Sequence, residues 1–341
     1  MKRRVFAMVG MAAAISMAVC GCGNSGSGTS GSNSGATSSA SSTGSASAGS
    51  EGKIKVGVVT MDSGADAYQS AYYDNMKTYA QELGIDLQIL DPAGDAAKQS
   101  NMVQDLINLD CDVIAVWPVN SETGVASVKA VNQAGILCIA ANTNVAESGE
   151  QYVECFVGPS NTLEGKQAGE AMMDQIGESA KILEISGPAG YTASMERMGG
   201  MHDVIEGTDI EILDSQTGEA NREKSQQIME NYLVKYPQGS VDAVFCYDDT
   251  TAYGALNALE AAGRTDIKVF AAASGNYETR EYVLDGRICA TSMQSPILES
   301  QAVLNMAVSL AKGDKPEEFY NYAETPCITV DNVESVEIVE W

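Results

Sequence analysis

The stretch VIAVWPVNSETGVASVKAVNQAGILCIAA, residues 113–141, decides the architecture of this chain. Two short apolar runs, Val113–Trp117 and Leu137–Ala141, flank a longer segment of helical length. Neither run alternates apolar with polar residues, which is the pattern of parallel strands that are buried on both faces. The stretch is therefore predicted to form a β-α-β unit.

The same alternation repeats along the chain after Lys53. Ten apolar runs are predicted as strands: Ile54–Thr60, Asp86–Leu90, Val113–Trp117, Leu137–Ala141, Val153–Val157, Ile182–Ser186, Ile210–Asp214, Ala243–Tyr247, Val269–Ala273 and Cys289–Met293. The segments between them show helical core spacing, as at Tyr72, Met76 and Leu83. This order predicts an α/β protein with doubly wound, Rossmann-like sheets. Ten strands exceed one comfortable open sheet, so two lobes are expected.

The N-terminus has the features of an export signal. Basic residues 2–4 precede an apolar run, Val5–Val19, that is too short for a good membrane-spanning helix. The residues before Cys22 resemble a bacterial lipobox, so residues 1–21 are predicted to be a lipoprotein signal peptide and Cys22 the lipidated new N-terminus. Cys20 is the weaker candidate because a bulky valine precedes it. An ordinary secretion signal with two incidental cysteines is the alternative.

Residues 23–50 contain only small or polar side chains. Such a segment cannot bury enough apolar surface to offset its ordering entropy. Residues 22–52 are therefore predicted to be a lipidated Cys and a disordered linker, which spans roughly 30 Å as a flexible coil. The protein is expected outside the cytoplasmic membrane and attached to it by lipid alone. That address is the cell surface, or the periplasmic side where an outer membrane exists.

Charge and ligand types exclude several classes of function. The net charge of −26 repels nucleic acid and anionic lipid, so neither is expected as a partner. The body has six cysteines, which are Cys111, Cys138, Cys155, Cys246, Cys289 and Cys327. They form no CxxC or Cys/His cluster, and His202, the only histidine, is expected to face solvent. No metal and no cofactor are therefore expected. The cysteines are expected as buried free thiols, although an extracytoplasmic protein can also form disulfides.

Polar side chains follow the predicted strands at their carboxyl ends, where doubly wound sheets bind ligands. The candidates are Asp66, Tyr68, Gln69, Trp117, Asn142, Thr143, Arg197, Asn221, Asp248, Ser274 and Gln294. Carboxylates and amides accept hydroxyl protons, arginine donates in a planar fork, and an aromatic ring covers the apolar face of a sugar. The set favours a small polyhydroxylated ligand. Asn, Asp and Ser are also common after strands as turn and cap residues.

Several segments carry a resemblance to a known family: Gly187–Arg197, Val244–Leu256, Ala290–Pro296, and Val103–Ile107 with Ala115–Pro118. Over about residues 53–330 the chain resembles the type I periplasmic sugar-binding proteins, the ribose/galactose-binding class that serves ABC importers. The resemblance implies two lobes, with ligand between them and recognition of the closed form by a permease. It implies a monomer with residues 53–158 plus 295–323 in the N-terminal lobe and 159–294 plus 324–341 in the C-terminal lobe. Three hinge segments are expected, near residues 157–160, 293–296 and 323–327.

The resemblance also assigns roles to single positions. Asp66, Tyr68, Gln69 and Asn142 fall at first-lobe ligand positions, and Arg197, Asn221, Asp248 and Gln294 at second-lobe or hinge positions. The chain departs from the family at three places: Thr143 replaces a usual Arg, Ser274 a usual Asp, and Ala220 a stacking aromatic. The kind of sugar or polyol therefore stays open. Trp117 either supplies the missing stacking face or packs under a loop.

Two other functions are compatible with a chain of this class. An enzyme is disfavoured because the chain has no GxGxxG after its first strand, no P-loop and no nucleophile elbow. The adjacent Asp248 and Asp249 are expected to be one ligand residue and one helix cap rather than an acid/base pair. A binding protein that reports to a chemoreceptor or sensor kinase is the second alternative. For a binding protein of either kind, Arg197→Ala is expected to abolish stabilisation by ligand while leaving the protein folded.

Overall fold

The structure, a computed structural model, describes residues 52–336. The predicted signal peptide, Cys22 and nearly all of the predicted linker lie outside the described residues. None of the helices within residues 52–336 is long and apolar enough to span a membrane.

Two six-stranded sheets form the framework. The first sheet has the order β11-β5-β4-β3-β1-β2 and is parallel throughout. Its strands are β1 Lys55–Val59, β2 Asp86–Leu90, β3 Val113–Val116, β4 Leu137–Ala141, β5 Cys155–Pro159 and β11 Tyr320–Ala323. The second sheet has the order β12-β10-β9-β8-β6-β7, with only β12 antiparallel. Its strands are β6 Lys181–Ser186, β7 Glu211–Thr217, β8 Ala243–Cys246, β9 Lys268–Ala271, β10 Ala290–Ser292 and β12 Cys327–Thr329.

Ten helices of the described chain cover these sheets. They are α1 Ala67–Leu83, α2 Ala96–Asn108, α3 Ser121–Gln133, α4 Glu147–Glu150, α5 Asn161–Ile176, α6 Thr192–Ile205, α7 Arg222–Lys235, α8 Asp249–Ala261, α9 Tyr277–Leu284 and α10 Pro296–Ala311. In the first lobe, α1 and α10 bury Tyr72 and Leu304 on one face of the sheet, while α2 and α3 bury residues such as Leu106 on the other. In the second lobe, Met229 of α7 and Met201 of α6 lie in separate clusters. Each lobe is thus a three-layer α/β unit.

All ten predicted strands are present, with shifted ends in several cases. The two additional strands, β11 and β12, are short edge strands, and β11 alternates exposed with half-buried residues. Neither YNYA nor CIT is a continuous apolar run, so the sequence pattern does not predict these strands. The chain passes between the sheets three times, after β5, after β10 and between β11 and β12. The predicted hinge segments fall at these crossings, while the exact lobe boundaries stay a prediction.

Two glycines let helices α5 and α6 lie in direct backbone contact. A Cβ on Gly165 would stand 1.9 Å from the carbonyl oxygen of Arg197, and a Cβ on Gly200 would stand 2.3 Å from that of Thr162. These distances are far below any van der Waals contact, so neither position accepts a side chain unless the helices separate. The close approach places the backbone of Arg197 against α5.

Gly165→Ala is therefore expected to lower the free energy of unfolding by about 1–3 kcal/mol, the usual cost of overpacking. Gly199→Ala is the matched control, because Gly199 lies on the same helix pair and has open space where its Cβ would be. It is expected to be neutral or to stabilise by about 0.5–1 kcal/mol through helix propensity. Urea unfolding of both variants measures the difference, and equal stabilities would contradict the packing argument.

Candidate functional site

A cavity of about 290 Å³ lies where the carboxyl ends of the strands of both sheets meet. It is lined by Met61, Asp66, Ala67, Tyr68, Gln69, Trp117, Asn142, Thr143, Pro188, Tyr191, Ala193, Arg197, Ala220, Arg222, Tyr247, Asp248, Thr250, Tyr253, Ser274, Asn276, Glu278 and Gln294. The lining combines carboxylates, amides, hydroxyls and two guanidinium groups with several aromatic rings. Such a mixture can orient a polar molecule by hydrogen bonds while covering its apolar faces.

The cavity contains ten of the eleven predicted site residues. These are Asp66, Tyr68, Gln69, Trp117, Asn142, Thr143, Arg197, Asp248, Ser274 and Gln294. Asn221 is not among the residues that line it, so its role in binding stays a prediction. Its side chain is the N-cap of α7 and accepts a 2.8 Å hydrogen bond from the amide of Lys224. Asn, Asp and Ser after strands are also expected as helix caps, and Asn221 has that role.

Asn142 and Tyr68 are joined on the first-lobe side by a buried carboxylate, Glu299. The Asn142 Nδ2 donates to Tyr68 Oη and to Glu299 Oε2, both at 2.8 Å, and Tyr68 Oη donates to the same Glu299 oxygen at 2.7 Å. Glu299 therefore sets the orientation of the Asn142 side-chain amide, because the Asn142 nitrogen is hydrogen-bonded behind the cavity wall. Asn142 has φ 58°, a left-handed conformation that asparagine tolerates better than most residues.

Burial governs the ionisation of Glu299, which is 1% exposed. Desolvation raises the pKa of Glu299 to about 8, although the hydrogen bond from Tyr68 acts in the opposite direction. The nearby Glu164 carboxylate raises this pKa further. Glu299 Oε1 has no hydrogen-bond partner within the described chain. The protonated form of this carboxyl is thus favoured over much of the neutral range.

Arg197 lies at the second-lobe side and is 5% exposed. Its Nε donates to Glu164 Oε2 at 2.8 Å, its Nη2 donates to Gln294 Oε1 at 2.8 Å, and its guanidinium lies 4.7 Å from the centre of the Tyr247 ring. Burial opposes its charge, but Glu164 raises the pKa of Arg197 above its ordinary value. Burial also raises the pKa of Glu164 to about 7, against the pull of Arg197. Arg197 is therefore a paired cation with part of its fork turned to the cavity.

The two adjacent aspartates do not divide the predicted cap and cavity positions between them, because Asp248 has both. Asp248 is both the N-cap of α8, accepting from the Thr251 amide at 2.8 Å, and a lining residue of the cavity. Burial raises the pKa of Asp248. Asp249 is 1% exposed and receives hydrogen bonds from the Gly275 amide at 2.7 Å and from Thr279 Oγ1. It anchors the loop that follows β9.

That loop carries backbone strain. Ser274 has φ 120°, a region that residues with a side chain rarely adopt, and it lines the cavity. A single residue in such a conformation costs on the order of 1–3 kcal/mol. The backbone on both sides of it is held in place, since Ser274 N donates to the Ser292 carbonyl oxygen and the Gly275 amide donates to Asp249. Non-glycine strain of this kind is concentrated at ligand-binding and catalytic sites.

Aromatic rings form much of the remaining wall. Trp117 is 4% exposed, packs edge-on against Tyr68 and Tyr72, and donates from Nε1 to Tyr191 Oη at 3.0 Å. Trp117 thus lines the cavity and is also a packed core residue. Tyr191, Tyr247 and Tyr253 come from the second lobe, where Ala220 offers no ring.

Several residues of the site were not predicted. Tyr247 ends a predicted strand, so its position at a strand end was available as a signal. Tyr191 lies inside the segment Gly187–Arg197, but nothing in the sequence indicated that it would reach the other lobe. Glu164 and Glu299 are single carboxylates within helices, which look like solvent-facing residues in the sequence.

Groups outside the cavity match the expectations only in part. His202 is exposed on α6 as expected, yet it is also paired with the buried carboxylate of Glu184, and that hydrogen bond raises the pKa of His202. The six cysteines of the body are all free thiols, four of them buried, with Cys289 and Cys327 half-buried. Across residues 52–336, no group of three His, Cys, Asp or Glu side chains is arranged to hold a metal ion.

The comparison with known families gives a clear match. The model of the periplasmic binding protein domain matches residues 56–315. The chain belongs to this family. The resemblance read from the sequence is thereby confirmed, together with the two-lobe α/β fold of type I binding proteins.

Individual members of the family match over most of their length. The ribose import binding protein RbsB of Escherichia coli (strain K12) is 33% identical over 247 residues, which are 72% of this chain and 81% of that protein. The xylitol-binding protein of Mycolicibacterium smegmatis is 28% identical over 282 residues, 82% of this chain and 78% of that protein. Among solved structures, a Bacillus halodurans ABC transporter solute-binding protein with bound myo-inositol has a TM-score of 0.78 and 27% identity. That match covers 84% of this chain and 98% of the other.

Proposed function

We propose that this protein captures a small polyhydroxylated ligand, a sugar or a polyol, in the cavity between its two lobes. The observation that carries the proposal is the convergence of hydrogen-bonding side chains from both sheets on one cavity, among them Asn142 from the first and Arg197 and Asp248 from the second. The ligands named for its relatives support it, since ribose, xylitol and myo-inositol are all small polyols or sugars.

Binding would act by changing the balance between open and closed lobes. A ligand that contacts both lobes stabilises the closed state by its differential affinity for that state. The three crossings near residues 157–160, 293–296 and 323–327 would absorb the motion, with 53–158 plus 295–323 moving as one lobe and 159–294 plus 324–336 as the other. No bond in the ligand needs to change, so the ligand is expected to be recovered intact.

We further propose that the protein is a monomeric lipoprotein that delivers its ligand to an ABC permease. Cys22 would carry the lipid, and the linker to residue 52 would keep the binding lobes close to the permease at the outer face of the cytoplasmic membrane. Labelling of cells with a radioactive fatty acid tests the anchor, because wild-type protein should incorporate label and Cys22→Ala should not. Labelling of the Cys22→Ala protein would show that another residue carries the lipid.

A ligand screen tests the binding function. Purified protein is heated with pentoses, hexoses, polyols and inositols, and hits are measured by titration calorimetry and recovered for chemical analysis. We expect one of these classes to raise the melting temperature and to be recovered unchanged. Failure of every class to bind, or turnover of a bound sugar, would contradict the proposal.

Asp248→Asn is expected to weaken binding of the identified ligand about 10- to 100-fold, the effect of losing charge-assisted hydrogen bonds. Asparagine keeps the N-cap of α8, so the stability of the free protein is expected to change little. Asp95→Asn is the control, because Asp95 is the N-cap of α2 and does not line the cavity. Calorimetry of the three proteins decides the point. Equal affinities for wild type and Asp248→Asn would show that Asp248 does not bind the ligand.

A further inference from the structure

Tyr191 of the second lobe places its hydroxyl among polar groups of the first lobe. Tyr191 Oη lies 3.0 Å from Trp117 Nε1, which donates to it, and 2.6 Å from Thr143 Oγ1. It also lies 3.6 Å from the Met61 sulfur. The side chain is 7% exposed, and burial raises the pKa of Tyr191, so the hydroxyl keeps its proton at neutral pH.

The residues on both sides of Tyr191 also hydrogen-bond to the first lobe. Asn120 Nδ2 donates to the Gly190 carbonyl oxygen at 3.3 Å, and Thr192 Oγ1 donates to Ser121 Oγ at 2.6 Å. The tyrosine ring is therefore held at a fixed place in the wall. It is not a side chain that a ligand could easily displace.

This arrangement makes two polar side chains of the cavity wall unavailable to a ligand. Trp117 and Thr143 follow strands β3 and β4 and line the cavity, where a hydroxylated ligand would otherwise meet them. Both have their polar atoms engaged by Tyr191, and the tyrosine ring occupies the space beside them. The remaining volume of about 290 Å³ lies just below the ~300–1,000 Å³ range of small-molecule pockets.

We propose that Tyr191 is a specificity-determining residue that fills one subsite of the cleft and restricts the ligand to a single ring or an equally short polyol. Its hydroxyl takes the place of a ligand hydroxyl on Trp117 and Thr143. The inference rests on the proposed binding function and deepens it by setting the size class of the ligand. Larger saccharides are rejected because their second ring would meet the tyrosine.

The test uses a ligand series of increasing size on the wild-type protein. The best monocyclic ligand of the screen is compared with its methyl ether or glycoside and with a disaccharide that contains it. We expect affinity to fall by about a hundredfold or more at the disaccharide, the effect of a steric conflict that the packed wall cannot relieve. Disaccharide affinity within threefold of the monocyclic ligand would overturn the inference while leaving the binding function intact. Failure of all members to bind would overturn both.

Variants then assign the effect to Tyr191. Tyr191→Ala opens the subsite, so the ratio of monocyclic-ligand affinity to disaccharide affinity is expected to fall at least about tenfold. Tyr191→Phe is expected to keep the wild-type ratio because the ring remains. Thr192→Val removes a neighbouring bond between the lobes without opening the cavity, so affinity for both ligands should change alike. Circular dichroism and melting confirm folding of each variant. An unchanged ratio in folded Tyr191→Ala would overturn the assignment.

Discussion

Replacing Arg197 with methionine is expected to lower the free energy of unfolding by about 3–5 kcal/mol and to abolish measurable ligand binding. Methionine fills much of the same space, so the loss comes from charge rather than from a cavity. Glu164 is fully buried, and Arg197 is its cationic partner at 2.8 Å. Without the guanidinium, a carboxylate would have to remain in the interior uncompensated or take up a proton.

This expectation differs from the one drawn from the sequence, in which Arg197→Ala abolishes the response to ligand but leaves folding unaffected. Sequence comparison treated Arg197 as a ligand residue alone. The structure gives it a second partner within the protein, and breaking a buried ion pair on one side is costly. Stability and binding are therefore expected to fall together.

A double-mutant cycle separates the two effects. Glu164→Gln, Arg197→Met and the combined variant are unfolded in urea at pH 7 and at pH 5. We expect the combined variant to be more stable than Arg197→Met alone, because no unpaired charge remains. The advantage of the combined variant over Arg197→Met should shrink at pH 5, where protonating the buried Glu164 costs less than at pH 7. Additive losses at both pH values would show that the pair is not coupled.

Glu299→Gln is expected to change how stability depends on pH. The pKa of Glu299 is raised in the folded protein, to about 8 from an ordinary value of 4.5, so the folded state binds the proton more tightly than the unfolded state. Its favourable contribution is complete below pH 4.5 and is lost as the pH rises through 8. Glutamine does not titrate, and its carbonyl oxygen can still accept from Tyr68 and Asn142.

The stability of the variant relative to wild type should therefore rise between pH 5 and pH 8. The slope is at most about 1.4 kcal/mol per pH unit, or up to about 4 kcal/mol over this window. Glu82→Gln on the exposed face of α1 is the control and should run parallel to wild type. Urea unfolding at four pH values measures the curves. Parallel curves for Glu299→Gln and wild type would mean that this carboxyl is ionised throughout.

The framework of this protein was readable from the sequence because its signal is local. Continuous apolar runs such as Val113–Trp117 become strands buried on both faces, and the polar residues that follow them face the cavity by the rule of parallel sheets. Strands β11 and β12 could not be predicted in this way because they are edge strands and are only partly buried. The sequence could not show that Asn221 is the N-cap of α7, because a helix cap and a ligand residue use the same side chain.

The buried polar layer behind the cavity was not readable in this way. Asn142 and Glu299 are 157 positions apart in the chain and meet only because α10 returns to the first sheet. Tyr191 bonds to Thr143 only because the two lobes approach each other. Such contacts depend on the arrangement of both lobes, and a helical glutamate gives no local signal that it will be buried.

The crossings between the sheets have a consequence for the order of synthesis. Helix α10, whose Val303 and Leu304 cover Tyr72 and Met76 of the first lobe, follows the entire set of strands β6–β10 in the chain. A nascent chain that ends between residues 159 and 296 has already produced the first five strands but lacks α10, so one of their apolar faces is covered by α1 alone. The N-terminal lobe thus receives its second covering helix only after strands β6–β10 of the other lobe have been made, and until then its partly exposed apolar face is a natural target for chaperones.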